Sequence, residues 1–157
     1  VRAIWLLALA GCEQASSATP RPSVAAPPPH ELAVTLERTI CYGTCPAYRL
    51  AVYRDGVVQF TGEEYVEVSG GALGHVSQAD VAALDRAFAD ARYFELADHY
   101  TSYDVTDMSS ATTSYQLGAR AKQIEHYHGD MKAPPALAKL EAAIDRIAGS
   151  ERWIGKH

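Results

Sequence analysis

Asp55-Gly56 lies between two runs of alternating residues, Ala47 to Tyr53 and Val57 to Phe60, and no other feature restricts this fold as strongly. Asp-Gly between such runs is a hairpin signal, so the chain is committed to antiparallel pairing at this point. The register follows from burial. A two-residue loop would set Phe60 opposite Ala51 and leave Leu50 and Val52 against Thr61 and Gln59. A three-residue loop, Arg54-Asp55-Gly56, makes a type I turn with Gly56 in the left-handed position of a bulge. That loop groups Leu50, Val52, Val58 and Phe60 on one face, and it is the register expected.

The neighbouring segments extend this sheet. Leu32, Val34 and Leu36 alternate with Ala33, Thr35 and Glu37 as in a half-buried strand. Glu64 to Ser69 alternates again, and Gly70-Gly71 reads as its end. Ser77 followed by Asp80 is a capping signal for a helix that carries Val81, Leu84 and Phe88 and runs to about Ala91. Tyr93 to Leu96 leads into a polar loop, Tyr100 to Ser110. Two further strands, Thr112 to Leu117 and Lys122 to Tyr127, flank the turn Gly118-Ala119-Arg120. A last helix begins at Pro134-Pro135, presents Leu137, Leu140, Ile144 and Ile147, and stops at Gly149, after which Trp153 and Ile154 dock on the body. The expected fold is α+β in two layers: an antiparallel sheet of about six strands with both helices on one face, in the order four strands, helix, two strands, helix.

The net charge of −5 is mild, and no run of Lys or Arg occurs in the domain. Nucleic acid and anionic headgroups are therefore poor partners. There is no glycine-rich phosphate loop between strand and helix, no Gly-x-Ser-x-Gly and no His-Glu-x-x-His. No nucleophile, base and orienting group can be assembled from spacing, so no catalytic residue and no cofactor is expected.

Cys41-Tyr42-Gly43-Thr44-Cys45-Pro46 is the one dense constellation. The simplest reading is a Cys41–Cys45 disulfide in an exported protein, where the short ring fixes the entry to the second strand. The competing reading is metal or thiol-redox chemistry. The segment is similar to the Cys-x-x-x-Cys-Pro of membrane-anchored copper-delivery proteins of the cytochrome oxidase assembly type, which implies two thiolates and a distant His around the metal. His126 and His128 are two apart on one strand, so they share a face and can share an ion, and His99 precedes them. No third ligand is fixed by spacing, and covering the sheet edge is the plainer role. Asp104 and Asp107 read as turn residues rather than cation ligands. Of the nine tyrosines, most read as strand residues, and those left exposed favour protein contacts.

The N-terminal region supplies an address. Ile4 to Ala10 is too short to span a bilayer, at about 10 Å against a hydrocarbon core of about 30 Å. With Arg2 before it and Leu9-Ala10-Gly11-Cys12 at its end, it resembles the signal peptide and acylation motif of bacterial lipoproteins. That resemblance implies removal of residues 1–11 and lipidation of Cys12, and hence a membrane anchor. Residues 12–30, rich in Pro, Ser and Ala, read as a tether. Residues 31–157 read as one globular domain. Glu13 rather than Asp after Cys12 favours the outer membrane, facing the periplasm.

Thr39 to Tyr48, Tyr53 to Val58, Thr106-Asp107 and Ala133-Pro134 with the helix ending near Trp153-Ile154 together resemble a family of bacterial exported proteins, often lipoproteins, known only as a domain of unknown function. The resemblance covers nearly all of Glu31 to Ile154 and treats Cys41 and Cys45 as a pair. It implies no activity, cofactor or catalytic residue. The functional expectation is therefore a non-enzymatic, lipid-anchored envelope protein that binds another envelope protein or component. The alternative is a copper-handling or thiol-redox lipoprotein that uses Cys41 and Cys45, with His126 or His128.

Overall fold

In the computed structural model, which describes residues 30–155, the expected hairpin is the centre of a larger sheet. The expected signal peptide, Cys12 and nearly all of the tether lie outside the described residues. Strands β1 (Leu32–Arg38), β2 (Ala47–Tyr53), β3 (Val57–Glu64) and β4 (Gly70–His75) precede helix α1 (Gln78–Asp90). A 3-10 turn (Tyr93–Glu95) and strands β5 (His99–Tyr100), β6 (Ser110–Leu117) and β7 (Arg120–Tyr127) follow, then helices α2 (Pro135–Ala148) and α3 (Glu151–Ile154). The fold is α+β. Its seven strands run in the order β4-β3-β2-β1-β6-β7-β5, antiparallel throughout except where β5 lies parallel to β7.

Leu50 pairs with Phe60 and Val52 with Val58, as the three-residue loop requires. The Gly56 amide donates to the Tyr53 carbonyl, and Gly56 takes φ +90°, a conformation that side-chain-bearing residues rarely tolerate. Val34, Leu36, Leu50, Val52, Val58, Phe60, Tyr115 and Ile124 are buried together with Val81, Leu84 and Phe88 of α1 and Leu137, Leu140 and Ile144 of α2. The alternate residues Glu37, Arg49, Gln59 and Thr61 are exposed. Both helix starts are as expected. Ser77 caps α1 reciprocally with Asp80, and Pro135 occupies the first turn of α2. At the far end of α2, Gly149 at φ +67° ends the helix.

Four details differ from the sequence expectation. The fourth strand is not Glu64–Ser69 but Gly70–His75, so Gly70-Gly71 opens a strand instead of closing one. Val66 and Val68 do alternate, but the Glu67 and Val68 amides donate to the carbonyls of Ile154 and Trp153 rather than to a strand. In the strand that does form, Gly74 lies under Arg152 and Trp153; a Cβ there would come within 2.8 Å of the Trp153 ring. Second, there are seven strands rather than six, since the two-residue β5 joins the edge of β7. Third, the β6–β7 turn is two residues long: Arg120 already pairs with Leu117. Finally, Trp153 docks as expected, stacked on Phe60 at 5.0 Å, but as part of a third short helix.

Candidate functional site

One rung of the sheet concentrates charged side chains on a face that is otherwise mostly apolar. Arg38 pairs with Tyr48 on one side and with Ala111 on the other, and Ala111 pairs with His126. By strand alternation these residues share the face of Leu36, Leu50 and Ile124. Helix α2 crosses this rung and lowers two carboxylates onto it, Glu141 and Asp145, one turn apart. The small Ala111 sits between the two polar halves.

Asp145 serves the first half. Arg38 Nη2 donates to its Oδ2 at 2.9 Å and Nε at 3.1 Å, Tyr48 Oη donates to Oδ1 at 2.5 Å, and Ser150 Oγ donates to Oδ1 at 2.7 Å. Burial opposes the charge on Arg38, but Asp145, Tyr48 and Glu141 around it together outweigh burial and raise the pKa above the ordinary arginine value. Burial and the same carboxylate push the Tyr48 phenol well above its usual range.

Glu141 serves the second half and is only 1% exposed. Its Oε1 lies 2.7 Å from His126 Nδ1 and its Oε2 lies 2.8 Å from His128 Nε2. Burial works against the carboxylate charge, yet the hydrogen bonds from His126 and His128 hold its pKa below the ordinary glutamate value. A carboxylate only accepts, so each imidazole donates to it. On its other side, His128 Nδ1 lies 3.0 Å from Ser109 Oγ, a hydroxyl able to donate to it or accept from it. The result is a chain of hydroxyl, imidazole, carboxylate and second imidazole. Among the described residues no buried side-chain nitrogen or oxygen lacks a partner.

Beside this network is an open cleft of about 830 Å³, walled by Arg38, Tyr48, Asp145, Ser109, Ser150 and the Cys45-Pro46 segment. Cys45-Pro46 and Ser109 belong to the loops before β2 and before β6, which lie at one end of the sheet. The Cys41–Cys45 bridge, with Cα atoms 5.5 Å apart, closes the loop between β1 and β2. That loop is tied to the loop before β6 by the Tyr42 amide donating to the Asp107 carbonyl. The loop before β6 is tied in turn to the one after β7 by Val105 N–H donating to Gly129. Ile40, Tyr42, Tyr103, Val105, Met108 and Met131 are exposed on these loops, Tyr42 by 90% and Met131 by 78%.

A family model described as Domain of unknown function (DUF6438) matches residues 32–148. The chain belongs to that family. The family's span runs from the start of β1 to the end of α2, so it takes in the cysteine pair, the whole rung and both carboxylates of α2. No curated protein matches the chain.

The residues singled out in the sequence are thus distributed. Cys41 and Cys45 are bonded to each other and present no thiolate to a metal shared with His126 or His128. These two histidines do converge, and the third donor missing from the sequence spacing is Glu141: the ligand atoms of the three lie within 4.8 Å of one another. His99 is apart from them, its Nδ1 3.5 Å from Glu125. Asp104 accepts from the Met131 amide, and Asp107, at φ +66°, accepts the Tyr42 amide through its carbonyl, so both do turn work. Tyr48, Tyr93, Tyr115 and Tyr127 are buried, whereas Tyr42, Tyr65 and Tyr103 are exposed.

Arg38, Ser109, Glu141 and Asp145 are not among the residues the sequence singles out, and Tyr48 is singled out only as a strand tyrosine and as the end of the cysteine motif. A signal for a buried polar site was present at three of these five. Arg38 continues the inward positions of Val34 and Leu36, Tyr48 those of Leu50 and Val52, and Glu141 falls on the apolar stripe of α2 between Leu137 and Ile144. A charged residue in such a stripe demands a buried partner.

Proposed function

We propose that this chain is a lipid-anchored envelope protein, held to the membrane through Cys12, whose domain is a non-enzymatic module that binds another envelope protein. The observation carrying the reading is the exposed apolar rim: aromatic, Met and branched side chains on three loops, one closed by the disulfide and all three tied together by backbone hydrogen bonds. Large apolar side chains already held in place lose little conformational freedom on docking, and aromatic residues and Met are favoured in interface cores. The amides flanking Ser109 support the non-enzymatic side of the reading. Met108 N–H donates to Tyr127 Oη and Ser110 N–H to Thr39 Oγ1, so neither is available to an oxyanion.

The test places a photocrosslinking amino acid at Tyr42 or Tyr103 in the intact chain in its own cells, with Gln59 on the opposite sheet face as control. A discrete crosslinked protein from Tyr42 and Tyr103 and none from Gln59 is expected. No crosslink, or the same products from all three positions, would overturn the reading. The anchor is tested by Cys12→Ser, which should move the chain from the membrane to the soluble fraction.

A further inference from the structure

We infer that His126, His128 and Glu141 form a binding site for a divalent transition-metal ion, with zinc the ion that best suits the donors. The inference is independent of the docking rim and rests on charge, convergence and donor type.

Charge comes first. Helix α2 brings two carboxylates to the rung, but Arg38 is the guanidinium that meets them, 2.9 Å from Asp145 and 3.8 Å from Glu141. With both imidazoles neutral, the cluster retains one negative charge, and the group bearing it is almost wholly buried. A buried carboxylate calls for a cation. Convergence is second. One protonated imidazole would be enough to balance that charge, yet two approach the same carboxylate, one on each oxygen, with ring centroids 4.7 Å apart and planes at 80°. Two imidazoles and a carboxylate make a three-donor set that leaves a further position open, the arrangement of non-structural zinc sites. Two nitrogen donors disfavour calcium and magnesium, and the lack of a thiolate disfavours Cu(I).

Metal bonds of about 2.0 to 2.1 Å at tetrahedral angles separate donor atoms by roughly 3.3 Å. The two short contacts run to different oxygens, 2.7 Å to Oε1 and 2.8 Å to Oε2, and the three ligand atoms lie within 4.8 Å of one another, so loading requires them to adjust by no more than about 1.5 Å. His128, whose side chain is 22% exposed, is the more accessible of the two histidines. When its Nε2 takes the ion, its proton resides on Nδ1 and is donated to Ser109 Oγ, the outer hydrogen bond that orients a ligand histidine.

The experiment strips the intact chain in detergent with a chelator, keeps the Cys41–Cys45 bridge oxidised, and titrates Zn²⁺ by calorimetry. Co²⁺ serves as a visible-absorption probe of coordination. One Zn²⁺ per chain is expected, with a rise in thermal midpoint and the visible bands of a four-coordinate Co²⁺ site. His128→Ala and Glu141→Gln should each weaken binding at least 100-fold and Ser109→Ala about tenfold, whereas His99→Ala should bind as the parent does. Circular dichroism establishes that each variant is folded. If Glu141→Gln does not fold, His128→Ala and Ser109→Ala, at positions only partly buried, still decide. Absence of stoichiometric binding by the folded parent chain, or binding unchanged in His128→Ala, would overturn the inference and leave the cluster as a proton-balanced network.

Discussion

Replacing Arg38 by Met is the perturbation that most directly tests whether the polar rung holds the sheet to α2. Met fills much of the same volume but removes two hydrogen bonds to Asp145 and the positive charge nearest Glu141. Removing one partner of a fully buried ion pair costs about 3 to 5 kcal/mol, because the other charge is left uncompensated. Here the two side chains are 18% and 21% exposed, and Tyr48 and Ser150 still donate to Asp145, so solvent and the remaining bonds reduce the loss to about 2 to 3 kcal/mol. For a domain of this length the unfolding entropy is roughly 0.26 kcal/mol/K, which converts that loss to a fall in thermal midpoint of about 10 °C. Urea and thermal unfolding followed by circular dichroism measure it. Adding Asp145→Leu removes the stranded carboxylate, so the double variant should be about 2 kcal/mol more stable than the sum of the two single losses. A loss below about 0.5 kcal/mol in Arg38→Met, as for an exposed pair, or strict additivity in the cycle, would refute the reasoning.

Three further outcomes are expected. Glu141 has a folded pKa below its ordinary value, so its contribution is present above the usual glutamate range and is lost as pH falls through the folded pKa. Urea midpoints measured from pH 7 to pH 3 should therefore drop less steeply at the acid end for Glu141→Gln than for the parent. Cys41→Ser with Cys45→Ser should cost about 2 kcal/mol, the loop entropy of a five-residue ring, read from the same urea curves. Trp153→Ala, which empties a site 7% exposed against Phe60, should cost about 3 kcal/mol and speed proteolysis within 65–69, whose amides lean on the Trp153 and Ile154 carbonyls.

Local chemistry made much of the fold legible. Asp55-Gly56 fixed a hairpin register, Ser77 with Asp80 started a helix and Gly149 stopped one, because each signal acts through its own backbone neighbours. The misplaced fourth strand shows where this ends. Val66 and Val68 have the better strand pattern, but their segment bonds to α3, and the 70–75 segment pairs with β3 instead, with Gly74 leaving room for Arg152 and Trp153. The two-residue β5 had no pattern long enough to read. In the site, the histidine pair was visible from its two-residue spacing alone, while Glu141 was hidden in an otherwise apolar helix.

What the sequence determined by itself is the β2–β3 hairpin with its register, the two long helices with their buried faces, the short Cys41–Cys45 bridge and the shared face of His126 and His128, all set by residues close along the chain. Only the tertiary structure decided that Arg38, Tyr48, Ala111 and His126 share one rung, that α2 sets Glu141 and Asp145 over it, and that three loops are hydrogen-bonded together. Those partners are separated by up to 107 residues, as Arg38 and Asp145 are. Strand order and helix placement bring them together, and no local periodicity records either.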